Sequence, residues 1–262
     1  MLPLVSITDV TREAAARRVD ERCSRHRVLP GILAAAALAL SPLLTATPAS
    51  AAVAIPPELS KLSCGRCLSE ADARNRFAPE EWLQLEAGDV VTREQAADGK
   101  DAKENRQTEA SGIVSWPPQL VWDVLVDFDS RTKFMSTSTK SEITRIDGND
   151  VRVDQALKIL WEKIQFSVIN HVDPATGRIS WTMDKEKEHN IADTVGAWQI
   201  VPLDGGRHTL LLYTSHTDTG RPVPAMIESY VIKRSLPKMI EAVRDEVARR
   251  GKGSSYVLPN TE

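Results

Sequence analysis

The chain has 262 residues, 42% of them apolar and 26% charged, with a formal net charge of −3. That length suits one large domain or two small ones, and the composition is that of an ordinary soluble protein. A phosphate-binding surface announces itself as clustered Lys and Arg; none stands out, so nucleic acid is not expected as a partner.

Residues 1–51 read as a leader. Arg25, His26 and Arg27 give a basic front to an apolar run from Leu29 to Leu44, and Ala49-Ser50-Ala51 closes it in an A-x-A pattern. This is the layout of a secretory signal cleaved before Ala52. The rival reading, a membrane anchor, needs about 20 consecutive apolar residues, and here Ser41, Pro42 and Thr45 interrupt the run. The expectation is an exported chain, periplasmic or extracellular, with no stable membrane span. The front region from Met1 to Arg27 is long and carries Asp9, Glu13, Asp20 and Glu21, which fits an extended leader or a later translation start.

Residues 52–108 read as an N-terminal extension. Cys64-Gly65-Arg66-Cys67 holds the only cysteines after the leader. A zinc site needs about four ligands, and neither a second cysteine pair nor a nearby histidine supplies them. A short-loop disulfide formed after export is the favoured reading, with a redox dithiol as the alternative. Pro79 to Gly88 predicts a short helix, with proline at its start, acids in its first turn and glycine as its stop. Trp82 and Leu85 share a face expected to dock on the main domain. From Gln95 to Thr108 the chain is nearly all polar and reads as a solvated loop or linker.

The main domain is expected over 109–250. A strand from Ala110 to Trp116 precedes Pro117-Pro118, and Leu120, Val121, Val124 and Leu125 recur at helical spacing. A second helical turn is expected across Ser130 to Met135. Strands follow at Glu142–Ile146, Val151–Ile159, Ile164–Val168, Ile179–Asp184, Thr194–Val201 and His208–Thr217. Asp147-Gly148-Asn149-Asp150 and Asp204-Gly205-Gly206 supply turns between them. A long amphipathic helix from Ala225 to Arg250 closes the domain, with Met226, Ile227, Tyr230, Val231, Leu236, Ile240, Val243 and Val247 as its apolar stripe. Pro237 should kink it and Gly251 should end it, leaving 251–262 as a flexible tail.

This order resembles the helix-grip fold of the START-like (SRPBCC) superfamily, closest to its bacterial Coq10-like and polyketide cyclase/dehydrase branch. The resemblance rests on Val121-Trp122-Asp123-Val124-Leu125-Val126-Asp127-Phe128, on Gly196-Ala197-Trp198 with Val201-Pro202 and Gly205-Gly206, and on Asp218-Thr219-Gly220 with Pro222 and Pro224. It implies an α+β domain in which a curved antiparallel sheet of six to seven strands grips the long C-terminal helix around a cavity. Where the branch carries a proline after the residue matching Phe134, this chain has Met135-Ser136-Thr137, so the cavity mouth is expected to differ.

Candidates for lining that cavity are Phe166, Trp181, Met183, Trp198, Tyr213, Ile227 and Tyr230. The two tyrosines are favoured because a buried phenol needs a hydrogen-bond partner and can orient a ligand. No catalytic set assembles: there is no G-x-S-x-G elbow, no glycine-rich phosphate loop and no histidine pair at metal-binding helical spacing. No cofactor and no metal are expected. The reading is an exported binder of an apolar small molecule such as a lipid, quinone or polyketide-like compound. A cyclase/dehydrase-like enzyme acting on a polyketide-type substrate and a protein-interaction module stand as alternatives.

Overall fold

The computed structural model describes residues 53–96 and 106–253. The leader, residues 97–105 of the polar linker, and the tail from residue 254 lie outside them. Eight strands, β1 (Val91–Ala96), β2 (Arg106–Val114), β3 (Ser138–Asp147), β4 (Asp150–Ile159), β5 (Glu162–Asp173), β6 (Arg178–Met183), β7 (Asp193–Leu203) and β8 (His208–Asp218), make one sheet. Its order is β1-β2-β8-β7-β6-β5-β4-β3, with every neighbouring pair antiparallel. The hairpins from β3 to β8 are sequential. After β2 the chain crosses the sheet through α4 (Pro118–Val126) and α5 (Arg131–Phe134) to reach the far edge at β3.

The sheet has one strand more than the sequence suggests. The additional strand, β1, reads Val-Thr-Arg-Glu-Gln-Ala and has no apolar alternation to betray it. An edge strand is held by its backbone ladder, and here that ladder runs from Val91↔Ser111 to Ala96↔Arg106. The partner, β2, starts at Arg106, inside the segment read as linker.

The extension is part of the same packing. Helices α1 (Pro57–Ser60), α2 (Glu70–Arg74) and α3 (Pro79–Glu86) precede β1. Leu59 is buried on α4, and its carbonyl accepts a hydrogen bond from Trp122 Nε1 at 2.8 Å. Trp82 and Leu85 join Val201, Leu203, Leu210 and Leu212 in a separate core cluster on the back of β7 and β8. These two strands are thus buried on both faces where they meet it, which is why Leu210-Leu211-Leu212-Tyr213 and Ile200-Val201-Pro202-Leu203 run apolar without alternation. Cys64 and Cys67 are disulfide-bonded, with Cα atoms 4.7 Å apart. Their loop docks on the β5–β6 turn, where the Cys64 and Arg66 amides donate to the carbonyls of Pro174 and Ala175.

The C-terminal helix differs from a single kinked rod. It is built of α6 (Ala225–Tyr230), a π-helical turn over Val231–Ser235, and α7 (Leu236–Gly253). Across this wider turn the Leu236 amide donates to the Val231 carbonyl, just before Pro237, which has no N–H to continue the ladder. Gly251 does not end the helix. A Cβ there would lie 2.4 Å from the Trp116 ring, so glycine serves close packing.

Near its C-terminus α7 is tied to α4. Glu246 accepts hydrogen bonds from Arg249 and Arg250 at 2.7 Å, and Arg250 reaches Asp127, just past the end of α4, at 2.7 Å. The Arg249 hydrogen bond, helped by Arg250 and opposed by burial, holds the Glu246 carboxyl down at about 2. A depressed carboxylate contributes stability above its unfolded pKa of about 4.3 that is lost as pH falls toward the folded value. Glu246→Gln should therefore cost about 1–3 kcal/mol at neutral pH. It should also flatten the fall in stability between about pH 4.3 and pH 2. Denaturant titrations of both proteins across that range, followed by circular dichroism, check this; parallel pH profiles would count against it.

Candidate ligand cavity

Between the sheet and the first half of the C-terminal helix lies a cavity of about 770 Å³. Strand periodicity builds its floor, since alternate side chains point to one face. On β5 these are Ile164, Phe166, Val168 and Asn170, and Leu157 on β4 and Trp181 on β6 extend the same surface. On the helix, Ile227, Val231 and Ser235 follow at spacings of four and form the opposite wall, with Leu236 and Met239 beyond. Met135 and Thr137, the stretch that departs from the resembled branch, also line the cavity.

An aromatic cluster shapes its inner side. Trp181 stacks on Tyr213 at 5.6 Å between ring centroids, and Trp198 meets Tyr213 at 4.6 Å in a tilted arrangement. The register explains the meeting, because Trp198 pairs with Tyr213 and Trp181 with Gly196. A Cβ at Gly196 would lie 2.3 Å from the Trp181 ring and 2.4 Å from the Thr214 carbonyl oxygen. The glycine is what lets the indole lie across β7.

Polar groups are few and grouped. Burial raises the Tyr213 phenol above its ordinary value, opposed by Ser215 and by the Arg131 guanidinium. Arg131, on α5, is nine-tenths buried and lines the cavity. Its Nη2 donates to the Leu125 carbonyl at 3.1 Å, its charge sits 4.5 Å from the Phe128 ring centroid, and its Nε has no partner. Desolvation pushes its pKa down to about 10, against the pull of Tyr213 and Asp127. Asn170 is buried and donates to the Val151 carbonyl. Among the described residues, no three His, Cys, Asp or Glu side chains gather as a metal site would need.

Of the seven candidate lining residues, Phe166, Trp181, Trp198, Tyr213 and Ile227 stand on the wall. Met183 and Tyr230 do not. Met183, the last residue of β6, is packed into the main core beyond the cavity. Tyr230 falls between Ile227 and Val231 in the helical repeat, about 100° from Val231, and is therefore turned off the lining face. Sequence reasoning passed over Arg131, because a lone arginine in a short polar turn carries no pattern. Ser215, Thr194 and Gln155 were equally silent, though each sits at an inward position of its strand. Asp127 and Asp129 follow the end of α4: Asp127 holds Arg250, and Asp129 accepts the Ile143 amide at 2.8 Å.

A curved antiparallel sheet closed over a cavity by a long C-terminal helix defines the chain as a START-like protein of the helix-grip fold. The family described as polyketide cyclase / dehydrase and lipid transport matches residues 114–244, half of the chain, and the chain belongs to that family. Among solved structures, the ZhuI aromatase/cyclase from Streptomyces sp. R1128 is 22% identical with a TM-score of 0.51, over 58% of this chain and 99% of that one. Human STARD10 is 13% identical with a TM-score of 0.51, over 78% of this chain and 85% of its own. Human StAR-related lipid transfer protein 5 is 16% identical with a TM-score of 0.50, over 69% and 95%. At these identities the likeness is one of fold. No curated protein is significantly similar in sequence.

Gly196→Ala forces the Trp181 ring off β7 and into the cavity. It should destabilise the protein by about 1–3 kcal/mol and change the near-ultraviolet circular dichroism of the tryptophans. An unaltered aromatic spectrum in a folded variant would show that the indole does not depend on this glycine.

Proposed function

We propose that this chain is an exported binding protein for an apolar small molecule held between the sheet and the C-terminal helix. The observation that carries the reading is the cavity of about 770 Å³ with its mainly aliphatic and aromatic wall. Small-molecule sites are concave, largely apolar spaces of about 300–1,000 Å³ with a few placed polar groups. The family description, which includes lipid transport, supports a lipid-like or polyketide-like ligand class. Export rests on the leader pattern of residues 1–51, and the Cys64–Cys67 disulfide agrees with it, since such bonds persist in oxidising compartments.

A second reading, cyclase-like chemistry on a polyketide-type substrate, is favoured by Tyr213, a phenol kept protonated beside Arg131 inside the cavity. General acid–base work also needs an acceptor within hydrogen-bond reach of the reacting atom. The carboxylates on the cavity wall, Glu94, Glu162, Asp218 and Glu228, are exposed or half-buried. Binding therefore takes precedence over chemistry.

The test is occupancy. Ser235→Phe places a ring on the helical wall at a half-buried position. It should weaken binding of Nile red, a neutral apolar probe, by about tenfold or more while leaving the melting temperature within a few degrees. Native mass spectrometry of the wild-type protein should show a retained small molecule and a mature chain beginning at Ala52. Failure of the wild type to bind Nile red, together with an empty native spectrum, would overturn the binding reading.

A further inference from the structure

Arg131 is an unusual wall for an apolar cavity. A guanidinium taken out of water is costly unless it is paired with a carboxylate or otherwise fully hydrogen-bonded. Among the described residues, no carboxylate forms an ion pair with it. Among the described residues it makes one hydrogen bond, from Nη2 to the Leu125 carbonyl, and its buried Nε makes none. Asp127, the acid that acts on it from a distance, is already engaged with Arg250 at 2.7 Å. The Phe128 ring face offers a weak partner at 4.5 Å. A guanidinium carries several N–H donors in a fixed fork, so most of its hydrogen-bonding capacity is unused.

Capping the end of α4 does not account for this arrangement. A single hydrogen bond to the Leu125 carbonyl could come from a neutral side chain at lower desolvation cost. What a guanidinium adds is charge and a planar fork that matches a carboxylate in two parallel hydrogen bonds. Tyr213, on the wall of the same cavity, carries a phenol that can donate a further hydrogen bond to the same anion. The rest of the wall, including Leu157, Ile164, Phe166, Ile227 and Val231, suits a hydrocarbon body.

Resting on the binding reading above, we propose that the ligand is an amphipathic acid, with one carboxylate received by Arg131 and Tyr213 and an apolar body filling the remainder of the cavity. The anion supplies the partner that the protein does not. Neutral quinones, alcohols and esters of the same length lack that charge and leave the guanidinium as it stands in the free protein.

The experiment is displacement of Nile red from the full mature chain by palmitate, methyl palmitate and hexadecanol, all below their aggregation limits. In the wild type, palmitate should displace the dye at concentrations about tenfold to a hundredfold lower than the two neutral probes, as a charge-assisted hydrogen bond would give. Arg131→Gln keeps a polar side chain and removes the charge, and it should bring the three probes to similar potency. Equal potency of acid and ester on the wild type overturns the proposal without any variant, so a poorly folded Arg131→Gln does not leave the question open. Preference for the acid that survives in a folded Arg131→Gln overturns the role of Arg131. Binding of Nile red displaced by none of the three also overturns the amphipathic acid, while leaving the cavity reading intact. No binding of Nile red at all overturns the cavity reading itself.

Discussion

The cavity exists because the C-terminal helix sinks its inward residues into the core only along its second half. In the second half, Ile240, Val243 and Val247 have no solvent exposure, and the helix lies so near β2 that a Cβ at Gly112 would stand 2.6 Å from Ile240 Cγ2. Gly251 makes the same kind of approach to Trp116. In the first half the π-helical turn still meets the edge strand β1, but Ile227, Val231 and Ser235 line open space instead of entering the core. A helix is stiff, so fixing one end against the sheet determines the height of the other. The wider turn at Val231–Ser235 shifts the register between the two halves, so Ile227 and Val231 face the cavity while Ile240 and Val243 enter the core.

That arrangement asks for a rigid floor, and the N-terminal extension helps to provide one. Helices α2 and α3 lay Ala73, Trp82 and Leu85 on the back of β7 and β8. The front of the same two strands carries Trp198, Tyr213 and Ser215 into the cavity. Packing on both faces leaves each strand little freedom to slip, because a shift of one residue would reverse every side chain. The disulfide loop adds a further restraint at the β5–β6 turn through backbone hydrogen bonds to Pro174 and Ala175. Residues read from sequence as an appendage are thus part of what holds the site in shape.

What could be read from the sequence follows from which signals are local. Period-two alternation exposed β5 and β6, and spacings of three and four exposed the helical stripe, so five of the cavity residues were within reach. β1 was invisible because a polar edge strand owes its existence to a partner ladder rather than to a pattern of its own. Tyr230 was misplaced because a broad apolar stripe does not say which of its two edges faces the ligand, and the π-helical turn then favoured Val231. Met183 has the right parity but stands at the end of its strand, where the cavity has given way to core. Arg131 had no signal at all: its meaning comes from its neighbours Leu125 and Phe128 and from Tyr213, which the fold brings to them.

The walls of the cavity are not held equally. The side nearest α7 is backed by the fully buried contacts of Ile240 and Val243 and by the Glu246–Arg250–Asp127 network, all shielded from water to a large degree. The side formed by the β8–α6 connection, from Thr219 to Pro224, is held by local hydrogen bonds such as Gly220 N–H to Asp218 at 2.7 Å and, to the rest of the wall, by an ion pair between Arg221 and Glu162. Arg221 is mostly exposed, and a pair of this kind contributes about 0–1 kcal/mol. Displacing the helix would require tearing a packed interface, whereas parting Arg221 from Glu162 costs little more than rehydrating two side chains. The difference in energy between the two sides therefore concentrates any opening of the cavity at the proline-flanked connection, far in sequence from Arg131 and without disturbing the aromatic cluster that shapes the inner side.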